Sequence, residues 1–213
     1  MNMKTLAALI SFSILGVLYI GSTFCQNHKS SCEERVIIEN KIDVFEYLDE
    51  TQEALEESLQ GLSGEQMQFI IDENSWSAAQ IIEHINIVEF SLKSLLESRV
   101  SENTSTMNEE VEMTDEEVVQ FITDRSKKIP TQDQFKPSNK FKNADEAIEA
   151  FKDQREELVD WLKDSEVDMR SFVNEFPFGK IDGYQTLLFM AGHTARHTAQ
   201  IEELKKDPNF PED

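Results

Sequence analysis

From Glu33 onward, apolar residues recur every three or four positions along almost the whole 213-residue chain. Such a period places them on one face of a helix, and no alternating run longer than four residues competes with it. Ile37, Ile38, Val44, Phe45, Leu48, Leu55 and Leu59 form a first stripe, which Gly61 and Gly64 end. Ile81, Ile85, Val88, Leu92 and Leu95 predict a second helix. It begins at Ser75–Ser77, where a serine oxygen can accept the free N–H groups of the first turn. Thr114-Asp115-Glu116-Glu117 is a capping-box start ahead of Val118, Phe121 and Ile122. Asn143 caps a helix carrying Ala147, Ile148, Phe151, Leu158, Trp161 and Leu162. A last helix runs from about Tyr184 to Lys206, after a Pro177-Phe178-Gly179 turn and an Asp182-Gly183 start. Lys205 and Lys206 complement its carboxyl end. The stretch from Ser101 to Thr114 reads as a polar loop, Pro130 and Pro137 bound an irregular segment, and Val167–Phe176 has no clear period. Helices of this length with one apolar face each bury those faces against one another. The expected class is all-α, an up-and-down four-helix bundle.

The first residues follow another rule. No formally charged residue lies between Lys4 and Lys29, and Leu6 to Tyr19 is nearly all apolar. A basic start followed by such a run is expected to be a signal peptide or a single membrane anchor, and its length suits either. Gly21, Ser22 and Thr23 offer a cleavage region, and Cys25 invites lipidation, although Phe24 stands where such signals want a small residue. The expected organisation is therefore a signal or anchor over 1–25, a linker over 26–32, a helical bundle over 33–206 and a tail over 207–213. The mature protein is expected to be extracytoplasmic, touching a membrane only through its N-terminal segment. Cys25 and Cys32 are the only cysteines, and in an oxidising compartment they can close a small linker loop.

Charge narrows the partners. With 20 Lys+Arg against 42 Asp+Glu, the net charge is −22. Losing the first 28 residues removes one cation, Lys4, and no anion, so the exported body is more acidic still. Phosphate backbones repel such a surface, and nucleic acid is excluded as a partner. No glycine-rich phosphate loop is present. A small-molecule substrate and a homodimer are the expected partners.

The chemistry-bearing residues are histidines. Besides His28 in the linker there are three: His84, His193 and His197. The last two are four residues apart, so on a helix both rings lie on one face, within reach of one cation. The seam of the last helix passes through Met190, Thr194, His197, Ile201 and Leu204, which turns both rings inward. His84, three after Ile81 and four before Val88, also borders the core. An inward histidine can equally be a core residue whose ring nitrogens are satisfied. Trp76 is either a packing anchor or a substrate platform. Glu89 is either a base or a solvated acid. Gln200 and Thr194 either orient the imidazoles or are ordinary helix-face residues. The runs Glu109-Glu110 and Asp115-Glu116-Glu117 are read as solvated faces and helix starts. No serine or cysteine nucleophile set can be assembled.

Taken together, Trp76-Ser77, His84 eight residues after the Trp, and His193 with His197 resemble the DinB-like (YfiT-like) superfamily of four-helix-bundle proteins. The phrase Gly179-Lys180, Leu187-Leu188-Phe189-Met190, His193, Arg196-His197 and Gln200-Ile201 follows that family's closing signature. The likeness covers roughly Glu33 to Lys206. It implies one divalent metal, zinc or nickel, held by His84, His193 and His197. Characterised members include transferases and isomerases that use low-molecular-weight thiols. Such thiols are chiefly cytoplasmic, so an export signal argues against that particular reaction here. The expected function is an exported metal-binding protein acting on a small molecule as a metal-dependent transferase or hydrolase. The alternative is a non-catalytic extracytoplasmic binding or stress protein with a structural or vestigial metal site.

Overall fold

The computed structural model describes residues 42–102 and 109–212. The signal or anchor segment, the linker, both cysteines, Ile37 and Ile38 lie outside the described residues.

Each of the six α-helices among the described residues starts on a side chain that accepts a backbone N–H of its first turn, which satisfies donors that otherwise lack partners. Asp43 opens α1 (Val44–Leu59), and Ser63 opens the short α2 (Gly64–Gln68) in a capping box with Gln66. Ser77 with Gln80 opens α3 (Ala78–Ser101), and Thr114 with Glu117 opens α4 (Asp115–Thr123). Asn143 opens α5 (Ala144–Asp164), and Asp182 with Gln185 opens α6 (Gly183–Leu204). The protein is mostly helical, as the periodicity predicts. Around a ring, α1 packs on α6, α6 on α3, α3 on α5, and α5 back on α1. α4 lies on the outer side of this set against α6. No helix of the described residues is long and apolar enough to cross a membrane.

Four details differ from the sequence reading. Gly64 does not end a helix; it is the first residue of α2, while Gly61, at φ +79°, makes the turn before it. Phe45 and Phe121 stand on apolar stripes yet are 42% and 38% exposed. The segment without a clear period holds a 3₁₀ turn (Met169–Ser171) and a strand, β1 (Val173–Phe176). β1 pairs antiparallel with β2 (Gly179–Asp182), from Val173 opposite Asp182 to Phe176 opposite Gly179. Strands of four residues carry too little alternation to be read, whereas the two-residue turn Pro177-Phe178 is legible. Gly179 sits at φ +135°, where a side chain is strained. Arg99 pins the hairpin to α3, donating to Asn174 Oδ1 (3.1 Å) and to the Val173 carbonyl (2.9 Å).

The core has two apolar clusters with a polar layer between them. One gathers Leu55, Leu59, Ile81, Ile85, Phe151 and Ile201; the other gathers Leu48, Leu92, Leu96, Leu158, Leu188 and Met190. On each long helix a polar side chain falls between the two sets: Thr51, Glu89, Arg155 and Thr194, all buried. The Arg155 guanidinium pairs with Glu89 through both carboxylate oxygens. It also donates to the Leu48 carbonyl (2.6 Å) and to the hydroxyls of Thr51 (3.4 Å) and Thr194 (3.2 Å). Thr194 in turn donates to Glu89 (3.0 Å). One side chain thus touches all four long helices. After the helix ends, the chain returns to α2: Gln66 donates to the Pro211 carbonyl (3.0 Å), and Phe210 packs on Phe69.

Arg155→Met should lower unfolding free energy by about 3–5 kcal/mol, because it leaves the Glu89 carboxylate buried without a partner. Adding Glu89→Leu should restore most of that loss. Urea unfolding of the two variants checks this, and a single-variant cost under about 1 kcal/mol would contradict the buried pair.

Candidate metal centre

The three histidines come from two helices. His84 lies on α3, two turns after its Ser77 cap, and His193 and His197 lie one turn apart on α6. All three are buried, and one ring nitrogen from each lies within 4.8 Å of the others. Ring centroids are 5.1 Å apart for His84–His193, 4.9 Å for His84–His197 and 4.5 Å for His193–His197. The inward orientation expected from the seam is what the structure has.

Hydrogen bonds decide which nitrogen each ring offers. His84 Nδ1 donates to the Phe135 carbonyl at 2.8 Å, and since a carbonyl only accepts, Nε2 keeps its lone pair. His197 Nδ1 is 2.9 Å from Gln200 Oε1 and donates to it, which again leaves Nε2 free. His193 Nδ1 is buried with no partner among the described residues. A buried ring nitrogen left unpaired costs about 1–3 kcal/mol unless something ligates it. Burial lowers the pKa of all three rings. For His193, pushed well below the usual value, His197 and His84 add to the effect of burial. Burial and then His84 bring His197 down to about 3. Burial lowers His84 too, against the opposing pull of the Phe135 hydrogen bond. The cluster is therefore neutral at ordinary pH, the protonation state in which imidazole binds a metal.

The loop that supplies the Phe135 carbonyl is itself held. Buried Glu83, beside His84, accepts from the Ser138 N–H (2.9 Å), the Ser138 hydroxyl (2.6 Å) and the Lys140 N–H (2.9 Å). Burial pulls the Glu83 carboxyl upward, but these hydrogen bonds outweigh it and hold its pKa below the usual range. On another side of His84 the Trp76 ring lies at 4.9 Å and packs on the apolar core. Trp76 is absent from the cavity wall described next, so the packing-anchor reading is the one the structure favours.

The histidines line a cavity of about 560 Å³. Its walls include Leu92 and Leu95 of α3, Ile122 of α4, Ile129 and Phe135 of the following loop, Phe178 of the hairpin turn and Phe189 of α6. Phe178 lies near-parallel to Phe189 at 5.0 Å, and Phe189 near-parallel to His193 at 6.2 Å. Among the described residues Arg196 is the one charged side chain on the wall. Its guanidinium donates to the Ile122 (3.2 Å), Asp124 and Lys127 (2.7 Å) carbonyls, which ties the end of α4 to α6.

Other sequence candidates fall elsewhere. Glu89 is neither a solvated acid nor a free base: it is buried against Arg155 and off the cavity wall. Thr194 serves that ion pair and not the imidazoles. Gln200 does orient His197. Sequence reasoning missed Arg155, Glu83 and Arg196. The signal for Arg155 was available, since it stands between Phe151 and Leu158 on the apolar stripe of α5. Glu83 and Arg196 hold backbone of distant loops, and no local pattern reports that.

The folded histidines have pKa values below the unfolded value near 6.5, so the native state binds fewer protons than the unfolded one. Their contribution to stability is intact above about pH 6.5 and is lost as pH falls from there toward about 3, the His197 value. Metal-free protein should lose up to about 1.4 kcal/mol per pH unit per histidine over that range. Urea unfolding at neutral pH and at a pH near 5.5 measures it. His193→Leu should lose less over the same interval, and an equal loss would exclude the histidines as its source.

Comparison with known proteins agrees with the geometry. Among curated proteins, none matches the chain. The family model of the DinB superfamily matches residues 47–201, a span that contains α3 and α5, most of α1 and α6, and all three clustered histidines. The chain belongs to the DinB superfamily.

Proposed function

We propose that this is an exported, divalent-metal-binding member of the superfamily, an up-and-down four-helix bundle that acts on a small molecule as a metal-dependent transferase or hydrolase. His84, His193 and His197 are its ligands, and zinc or nickel is the ion. The observation that carries the reading is the convergence of one ring nitrogen from each of three buried, neutral imidazoles to within 4.8 Å of one another. Three borderline nitrogen donors suit either ion. When bound, such an ion lowers the pKa of water or of a thiol held at its open positions.

The chain's own residues have three tasks. Phe135 and Gln200 set the ring tautomers through Nδ1, as hydrogen-bonded partners of metal-binding histidines commonly do. The helix pair α3 and α6 brings the three rings to the wall of a cavity large enough for a small substrate. The apolar walls keep bulk water from that substrate. No carboxylate lines the cavity among the described residues, so no side chain there can act as a carboxylate base. No fourth His, Cys, Asp or Glu joins the cluster among the described residues, and this supports catalysis over a closed structural site. Export rests on the charge-free run between Lys4 and Lys29.

His197→Ala should abolish stoichiometric metal in elemental analysis while leaving the far-ultraviolet circular dichroism close to wild type, because the apolar clusters supply the bulk of the stability. Gln200→Ala should weaken metal affinity by roughly 10–100-fold. If chelation unfolds the protein outright, the ion is structural and the catalytic reading falls.

A further inference from the structure

We infer that the cavity takes a small molecule with one metal-ligating head and an uncharged, apolar, ring-sized body, and that it rejects ligands with an anionic body. The inference rests on the metal reading above and adds the class of substrate. Two features of the wall carry it.

The first is charge. Among the described residues the wall has no lysine and no carboxylate, and its one cation, Arg196, is engaged by three backbone carbonyls. The other polar wall residues, such as Ser91, Thr131, Gln132 and Gln134, are uncharged. A carboxylate on the body of a ligand would leave water for a wall whose one cation already has its N–H groups committed to three backbone carbonyls, and burial with so little compensation is unfavourable. The acidic surface, at a net charge of −22, adds long-range repulsion.

The second is the arrangement of rings. Phe178, Phe189 and His193 stand as successive near-parallel faces, and Phe121 meets Phe178 at 4.9 Å. None of the three phenylalanines is buried, and Phe121 and Ile129, 38% and 48% exposed, are two of the large apolar side chains left to solvent. Rings held half-open along a cavity offer a flat apolar body the stacking and burial that water cannot supply. The column ends at a histidine of the cluster, which puts the head of such a molecule beside the three rings.

The test uses cobalt-loaded full-length protein and two probes with the same head and ring. Benzyl mercaptan has no charged body, whereas 4-(mercaptomethyl)benzoate adds one carboxylate at the far end. The thiolate-to-cobalt absorption band reports binding of each. Benzyl mercaptan should bind at least about tenfold more tightly. Ile129→Lys, at an exposed loop position, should shrink that ratio by supplying a cation. In metal-free protein the neutral dye N-phenyl-1-naphthylamine should bind in the cavity and be displaced by benzyl mercaptan but not by the benzoate. Cobalt uptake with the two thiols bound equally, or with the benzoate favoured, would overturn the substrate class and leave the metal reading standing. Failure of cobalt uptake with the dye pattern intact would remove the metal reading and support the apolar cavity.

Discussion

A polar layer cuts the core of this protein in two, and the relative register of its helices depends on that layer. Thr51, Glu89, Arg155 and Thr194 occupy one level on four different helices, with apolar clusters on either side. An apolar seam tolerates sliding by a turn at modest cost, because leucine meets leucine again. A guanidinium that must find a carboxylate, two hydroxyls and the Leu48 carbonyl does not, since any slip leaves a buried charge unpaired. The pair is therefore better understood as a specification of alignment than as a source of net stability.

That alignment also makes the histidine cluster. Glu89 and His84 share α3, and Thr194 sits between His193 and His197 on α6, so the contact that registers α3 against α6 brings the three rings together. The same layer thus contains two kinds of polar group. Around Arg155 the hydrogen bonds are complete. At the histidines they stop short: two rings are oriented through Nδ1, the third has a buried Nδ1 with no partner, and all three are held neutral by burial. An unsatisfied set beside a satisfied one, opening on a cavity, is the arrangement expected where a ligand completes the structure.

Much of this was legible in the residues, and the reasons for the rest are physical. Ser77, Thr114, Asn143 and Asp182 announced their helices because capping is a local interaction. The inward direction of His193 and His197 followed from spacing alone, since a helix has one period. Phe45 and Phe121 were misread for the same reason: periodicity assigns a face but not what, if anything, packs against it. The hairpin escaped notice because four-residue strands are stabilised by their partner and by Arg99, 74 and 75 residues away in sequence. Glu89 was ambiguous until its partner 66 residues further along was known.

By itself, then, the sequence determined the helical class, the caps, the acidic surface and three inward histidines, because each depends on neighbours within a turn or on composition. Only the tertiary structure decided that Glu89 is spent on Arg155, that Phe135 and Gln200 orient two of the rings, and that phenylalanines from α4, the loop after it, the hairpin and α6 share one cavity. Those outcomes depend on contacts between residues far apart in the chain, where each side chain's environment is set by what the rest of the fold brings to it.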